Sequence, residues 1–228
     1  MRRNTLFIIA MLAMVLTFSQ CKKDDIKPTT GEVTNTITLN FTPNNGGGKT
    51  VFDPEHVSFA WSGTEYIYVG GSNHTGCLGT LSGTETSGSI TFTGSITQPD
   101  DEEVLHFFYL GNDKTGGSIP TLDFSNQDGT IENVTNYHIG IGSATYHDGT
   151  TSYSTTLGMA MAIAYFDVSG YVDSNSDAEK VFLHGDGIYS TATVNYQEGT
   201  ITGATKGYIN MGTASSGKYI ALIPSVST

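Results

Sequence analysis

Cys21 is the residue whose surroundings define a chemistry most narrowly. Arg2 and Arg3 open the chain, an apolar stretch runs from Leu6 to Phe18, and Ser19 and Gln20 lead into the cysteine. A basic start, a short apolar core and a cleavage-compatible exit are the parts of an export signal. Phe18-Ser19-Gln20-Cys21 looks like a bacterial lipobox, with Phe18 and Gln20 standing where Leu and Gly or Ala are usual. Cleavage between Gln20 and Cys21 would leave an acylated cysteine as the new N-terminus. The apolar run is 13 residues, well short of the ~20 that a spanning helix needs. Lipid is therefore the expected anchor. Each buried acyl methylene contributes ~0.8 kcal/mol and one chain holds only marginally, so a stable anchor takes several.

Other spacings invite chemistry and fall short of it. Asp173, Asn175 and Asp177 place oxygen side chains at alternate positions, as calcium loops do, but Ala178 sits where such a loop needs glycine and His184 holds the twelfth place. A solvated turn is the simpler reading, with those three residues as the ones an ion would use. Asp100-Asp101-Glu102-Glu103 precedes the apolar run Val104 to Leu110. A catalytic carboxylate pair needs burial and separation across a cleft; four adjacent acids read instead as an exposed loop guarding a sticky strand. His56, His74, His106, His138, His147 and His184 show no paired metal spacing. Cys77 lies three residues from His74, with nothing nearby to complete a zinc set. No nucleophile elbow, phosphate loop or dinucleotide fingerprint is present. The chain reads as non-enzymatic, with no cofactor and no metal. Trp61 follows Phe59 at a period of two, which places it in a strand core rather than on a sugar-stacking platform.

The elements that must carry these residues are strands. Ile37, Leu39 and Phe41 alternate with Thr38 and Asn40; Ile90, Phe92 and Ile96 alternate with Thr91, Thr93 and Ser95, with Gly94 where a bulge would fit. Tyr66 to Val69, Val104 to Leu110, Val181 to Leu183, Val194 to Tyr196 and Tyr219 to Ile223 are further β-rich runs, separated by Gly, Ser, Asn and Asp clusters. Leu157 to Phe166, where Met159, Met161, Ile163 and Tyr165 alternate with alanines, reads as a strand buried on both faces. The pattern predicts an all-β protein of sandwich type. Its divisions are a signal over 1–20, a polar tether over 21–32, a first sandwich over 33–141, a Ser/Thr/Gly-rich linker over 142–156 and a second sandwich over 157–228.

Hydrophobic residues make up 37% of the chain and aromatics 11%, enough for a packed core. Beyond Gln20 the chain has no arginine, and its eight lysines face 22 acidic residues, a net charge of −14. Such a chain is a poor partner for nucleic acid or anionic lipid headgroups. With Cys21 acylated, Cys77 has no intrachain partner.

Taken in order, these segments resemble the fimbrillin-like family of bacterial surface lipoproteins. The resemblance rests on Val57-Ser58-Phe59-Ala60-Trp61-Ser62-Gly63-Thr64-Glu65-Tyr66-Ile67-Tyr68-Val69, then Ile90 to Gly94, Leu105 to Asn112, Asn126 to Ile131 leading to Tyr137-His138-Ile139, Met159 to Val168, Val181 to Gly185, and Tyr219 to Pro224. It covers residues ~50–224, and no single motif in it is specific. It implies two tandem transthyretin-like, Greek-key β-sandwiches in a lipid-exported subunit or anchor of fimbriae that serve cell adhesion. The implied place is the cell surface, attached to the outer membrane through lipid. Lys22-Lys23-Asp24-Asp25 is similar to the export tag of surface-exposed lipoproteins in the same bacterial group. The implied partners are other fimbrial subunits, joined by donor-strand exchange, and a host or microbial surface ligand that the resemblance does not identify.

Two departures bear on role. Polymerising members are cut after an arginine beyond the lipidated segment, and this chain has none past Arg3; Lys49, after Gly46-Gly47-Gly48, is the nearest substitute. A subunit that keeps its lipid is expected to act as an anchor or accessory rather than in the shaft. The chain also stops at Ser225-Val226-Ser227-Thr228, soon after a core-like strand. Either it is a fragment or the second sandwich is incomplete, and an incomplete sandwich leaves an open edge that invites a strand from another chain. A glycan-binding surface lipoprotein that uses exposed aromatics is the alternative.

Overall fold

The structure is a computed structural model that describes residues 34–41, 61, 63–86, 90–111, 121–167, 180–212 and 217–227. These all fall in one unit, Thr34–Thr228. The fold is all-β and sandwich-like, organised around a large curled sheet. Nine strands come first: β1 (Thr34–Phe41), β2 (Thr64–Gly71), β3 (His74–Thr84), β4 (Thr91–Thr97), β5 (Val104–Tyr109), β6 (Leu122–Asp123), β7 (Gly140–Thr145), β8 (Ser152–Thr155) and β9 (Gly158–Met159). Eight of them form one sheet in the order β8-β1-β4-β3-β2-β5-β7-β9. β1 pairs antiparallel with β4 and parallel with β8, Thr38 lying opposite Ser152. The curl brings β8 back to β7, where the Thr155 hydroxyl donates to the Ser143 carbonyl at 2.9 Å. Gly142 permits this approach, because a Cβ there would lie 2.8 Å from the Thr156 carbonyl oxygen.

Strand alternation assigns the sheet's two faces to two cores. Ile67 and Val69 of β2, with Leu105, Phe107 and Tyr109 of β5, pack with Ile37, Leu39, Phe92 and Trp61. Tyr68 and Phe108, which point the other way, pack with Leu122, Phe124, Ile201, Ile209, Ile220 and Leu222. β2 and β5 are apolar in nearly every position for this reason: both faces are covered. The second core is completed by β10 (Met161–Asp167), β11 (Phe182–Leu183), β12 (Tyr189–Asn195), β13 (Thr200–Lys206), β14 (Ile209–Asn210) and β15 (Lys218–Pro224), with a helical turn, α1 (Ile131–Val134), that runs into a 3-10 turn (Thr135–Tyr137). β10 pairs with β15, β11 with β14, and β13-β12-β6 form a small sheet.

Three local readings differ from the structure. Residues 142–156, read as a linker from their Ser, Thr and Gly content, hold most of β7 and all of β8. Strand β6 precedes that segment yet pairs with β12 beyond it, so the two halves interleave. The β1–β4 register runs through Ile37↔Gly94 without a shift, so no bulge forms at Gly94. The residue instead allows close passage of β3, since a Cβ would lie 2.7 Å from the Thr80 carbonyl oxygen. The run Leu157 to Phe166 is strand, but it splits at Ala160 between two sheets, and in β10 only Met161 is buried.

Candidate functional site: an open strand edge

The residues with the most specific chemistry in the sequence, Gln20, Cys21, Lys22, Lys23, Asp24, Asp25, Lys49, Asp173, Asn175 and Asp177, lie outside the described residues, as does His56. The acidic run does not form the uniformly exposed loop expected of it. Asp100, Asp101 and Glu102 are exposed, while Glu103 is 2% exposed. One Glu103 oxygen accepts from the Asn73 backbone N–H at 2.8 Å and lies 2.9 Å from His74 Nδ1; the other accepts from the Asp100 N–H at 2.9 Å. Glu103 thus ties the β2–β3 turn to the start of β5. Glu102, at φ 63, takes the left-handed conformation that turns the chain into this arrangement.

The fold also assembles a group that spacing did not reveal. Asp101, Glu102 and His147 bring one ligand atom each within 4.8 Å of one another. All three are exposed, and His147 Nδ1 lies 3.0 Å from Glu102 Oε1. The contact can serve as a surface ion pair when the imidazole is protonated, an interaction of about 0–1 kcal/mol.

The remaining aromatic, cysteine and histidine candidates divide between core and surface. Trp61 is buried and meets Phe92 and Tyr109 edge-on, with centroids 5.5 and 5.2 Å away, so it presents no platform. The Tyr109 hydroxyl donates to buried Glu65 at 3.1 Å. Burial, reinforced by the Glu65 charge, pushes that phenol far above its ordinary range. Cys77 is half-buried against the second core, donates to the Gly79 carbonyl, and has its thiol pKa raised by burial. His74 Nδ1 lies 2.9 Å from Glu103 Oε1, which fixes the orientation of its ring. His106 is half-buried on β5, and burial lowers its pKa. His138 is buried and His184 exposed.

The feature that remains is an edge. β10 and β15 form a two-stranded antiparallel ribbon in which Met161 faces Pro224 and Asp167 faces Lys218. Ser225 N–H donates to the Ala160 carbonyl, which sets the phase of the ladder. Alternation then directs the N–H and C=O of Ala162, Ala164 and Phe166 toward β15, and those of Met161, Ile163 and Tyr165 away from it. Among the described residues no strand pairs on that outer side. Tyr165 is 49% exposed and Phe166 37%, so apolar surface borders the open edge.

The opposite edge of the ribbon is closed by a side chain. Gln127, 1% exposed, accepts from the Leu222 N–H at 2.8 Å and donates to the Leu222 carbonyl at 2.7 Å. Its amide thereby reproduces the pair of bonds a neighbouring strand would make. The Gly129 carbonyl accepts from Ile220 N–H one step further along. The sequence points to partner contact at the sheet edges of the second sandwich, but it does not single out β10 and gives Gln127 no role. The small alanines between Tyr165 and Met161 were a signal, since a fully covered strand seldom spends alternate positions on them.

No family model matches the chain, and no curated protein does. Among solved structures it is similar to a fimbrial assembly protein from Parabacteroides distasonis. The two are 9% identical, with 86% of this chain and 79% of the other covered at a TM-score of 0.43. At that level the similarity fixes neither family nor function.

Proposed function

We propose that this chain is a non-catalytic surface lipoprotein, anchored to the outer membrane through Cys21, that serves as a subunit or anchor of a fimbria-like assembly and takes a partner strand on β10. The observation that carries the assembly part is the seven-residue β10, paired on one side only among the described residues and bordered by exposed Tyr165 and Phe166. An unpaired edge of that length offers main-chain donors and acceptors to an extended segment, and its side chains supply register. The lipobox-like Phe18-Ser19-Gln20-Cys21 supports the anchor. Without an arginine beyond Arg3, retention of the lipid favours an anchoring or accessory place.

Intact mass spectrometry of the native protein tests the anchor. Loss of residues 1–20 with acyl mass on Cys21 is the expected result, and a free Cys21 thiol would remove the anchor from this reading. Amide exchange tests the edge: the Ile163 and Tyr165 amides should gain protection when the protein assembles. Glycan binding keeps one observation in its favour, the exposed Phe182–Tyr208 pair, whose rings meet edge-on with centroids 5.1 Å apart. Retardation in a glycan affinity gel, lost on Tyr208→Ala, would favour that reading.

A further inference from the structure

We propose that the strand received by the β10 edge is β10 of a second copy, related by a two-fold axis through Ala164. This inference rests on the strand-accepting reading of that edge and names its partner. The side chains of β10 are graded along its length. Met161, Ala162 and Ile163 make up one half, and Tyr165, Phe166 and Asp167 the other, with Ala164 at the middle of seven residues. The large exposed groups, Tyr165 and Phe166, are confined to one half.

Antiparallel pairing of two such edges about Ala164 superposes the whole strand on itself. Ile163 then faces Tyr165 of the second copy and Ala162 faces its Phe166, each pair occurring twice. A branched residue beside an aromatic is a favourable cross-strand pair, and a small residue beside a large one leaves room for it. The residues whose N–H and C=O point outward, Ile163 and Tyr165, are then directly opposite and exchange both bonds. Parallel stacking in register would instead set Tyr165 beside Tyr165, Phe166 beside Phe166 and Asp167 beside Asp167, crowding the bulky half and placing like charges together. The antiparallel contact is isologous, so it closes as a dimer and leaves no further β10 edge. The product is a continuous four-stranded sheet, β15-β10-β10-β15, closed at both ends by Gln127.

Disulfide trapping in the lipid-bearing full chain, in detergent and on a Cys77→Ser background, tests the axis. Opposed Ala164 residues form a non-hydrogen-bonded pair with Cα atoms about 4.5 Å apart, within disulfide reach. Opposed Ala162 residues would lie four positions apart, about 14 Å along the strands. Ala164→Cys should therefore give a covalent dimer under mild oxidation and Ala162→Cys at least tenfold less. Adding Tyr165→Pro or Tyr165→Lys should cut the Ala164→Cys dimer at least tenfold. The proline removes an outward N–H and leaves the β15 ladder intact, so retained protection of core amides such as Phe107 confirms folding. Equal trapping at both positions, or none at either, overturns the two-fold contact. If Ile163 and Tyr165 amides still gain protection with concentration in that case, the edge accepts a different strand. If those amides exchange freely at every concentration, the strand-accepting reading falls with it.

Discussion

The eight-stranded sheet and the β10–β15 ribbon handle their edges in opposite ways. The large sheet ends in strands of four and two residues, β8 and β9, and its curl tucks β8 against β7. Short terminal strands and curvature are common means of denying a template to foreign chains. The ribbon ends in a seven-residue strand on one side and in a buried glutamine on the other. Among the described residues, one edge is thus closed by a buried side chain while its neighbour, long, regular and partly apolar, meets no strand.

The contrast can be broken most forcefully from the sheet side. Phe107→Ala removes a fully buried ring from the first core, and the expected loss is about 3–5 kcal/mol, read as a fall in the midpoint of cooperative denaturant unfolding. Gln127→Ala attacks the closed edge of the ribbon. It orphans the Leu222 N–H and C=O, at about 1–3 kcal/mol for each group left unsatisfied. Loss of amide protection should concentrate at Leu222 and spare Ile67 and Val69, which separates a local edge defect from global unfolding. Gln127→Glu should rescue little, because a carboxylate can accept from the N–H but cannot donate to the carbonyl.

Gly94→Ala tests the close passage of β3 beside β4. A methyl group beside the Thr80 carbonyl should cost about 1–3 kcal/mol by overpacking, and thermal melts should show it without any change in β10 exchange. The smallest effect expected is a pH dependence at His106. Burial holds its folded pKa below the ordinary 6.5, against the opposing pull of the Gln197 backbone and the Glu103 charge. As pH falls, the unfolded chain therefore takes up the proton first, so stability is full above 6.5 and declines as acid approaches the lowered value. His106→Gln should flatten that part of the curve of Tm against pH, leaving the slope from the carboxylates.

The strands that could be read from the sequence are those with apolar alternation or continuous apolar runs: β1, β2, β4, β5, β10, β11, the end of β12 and β15. The residues of β3 and β13, with Gly76, Gly79, Gly83 and Gly203, resemble turn material by composition. They become strands because their neighbours β2, β4 and β12 supply ladder partners, a non-local effect that no local pattern records. The burial of Glu103 was hidden for a similar reason: its three neighbours are exposed acids, and the donors that satisfy it come from Asn73, His74 and a turn. The open edge lay in a segment legible as strand but misjudged in exposure. Alternation shows which residues share a face, and it says nothing of how many strands will flank them.

The parallel pairing of β1 with β8 sets a timetable for the polypeptide as it is synthesised. Thr38 cannot find Ser152 until 152 of the 228 residues have been made, and contacts of such long sequence separation slow folding. Until then the outer rim of β1 stays bare. A chain stalled before residue 152 would therefore present a bare rim on the sheet that β8 covers in the complete fold, so elongation rate and aggregation should be coupled.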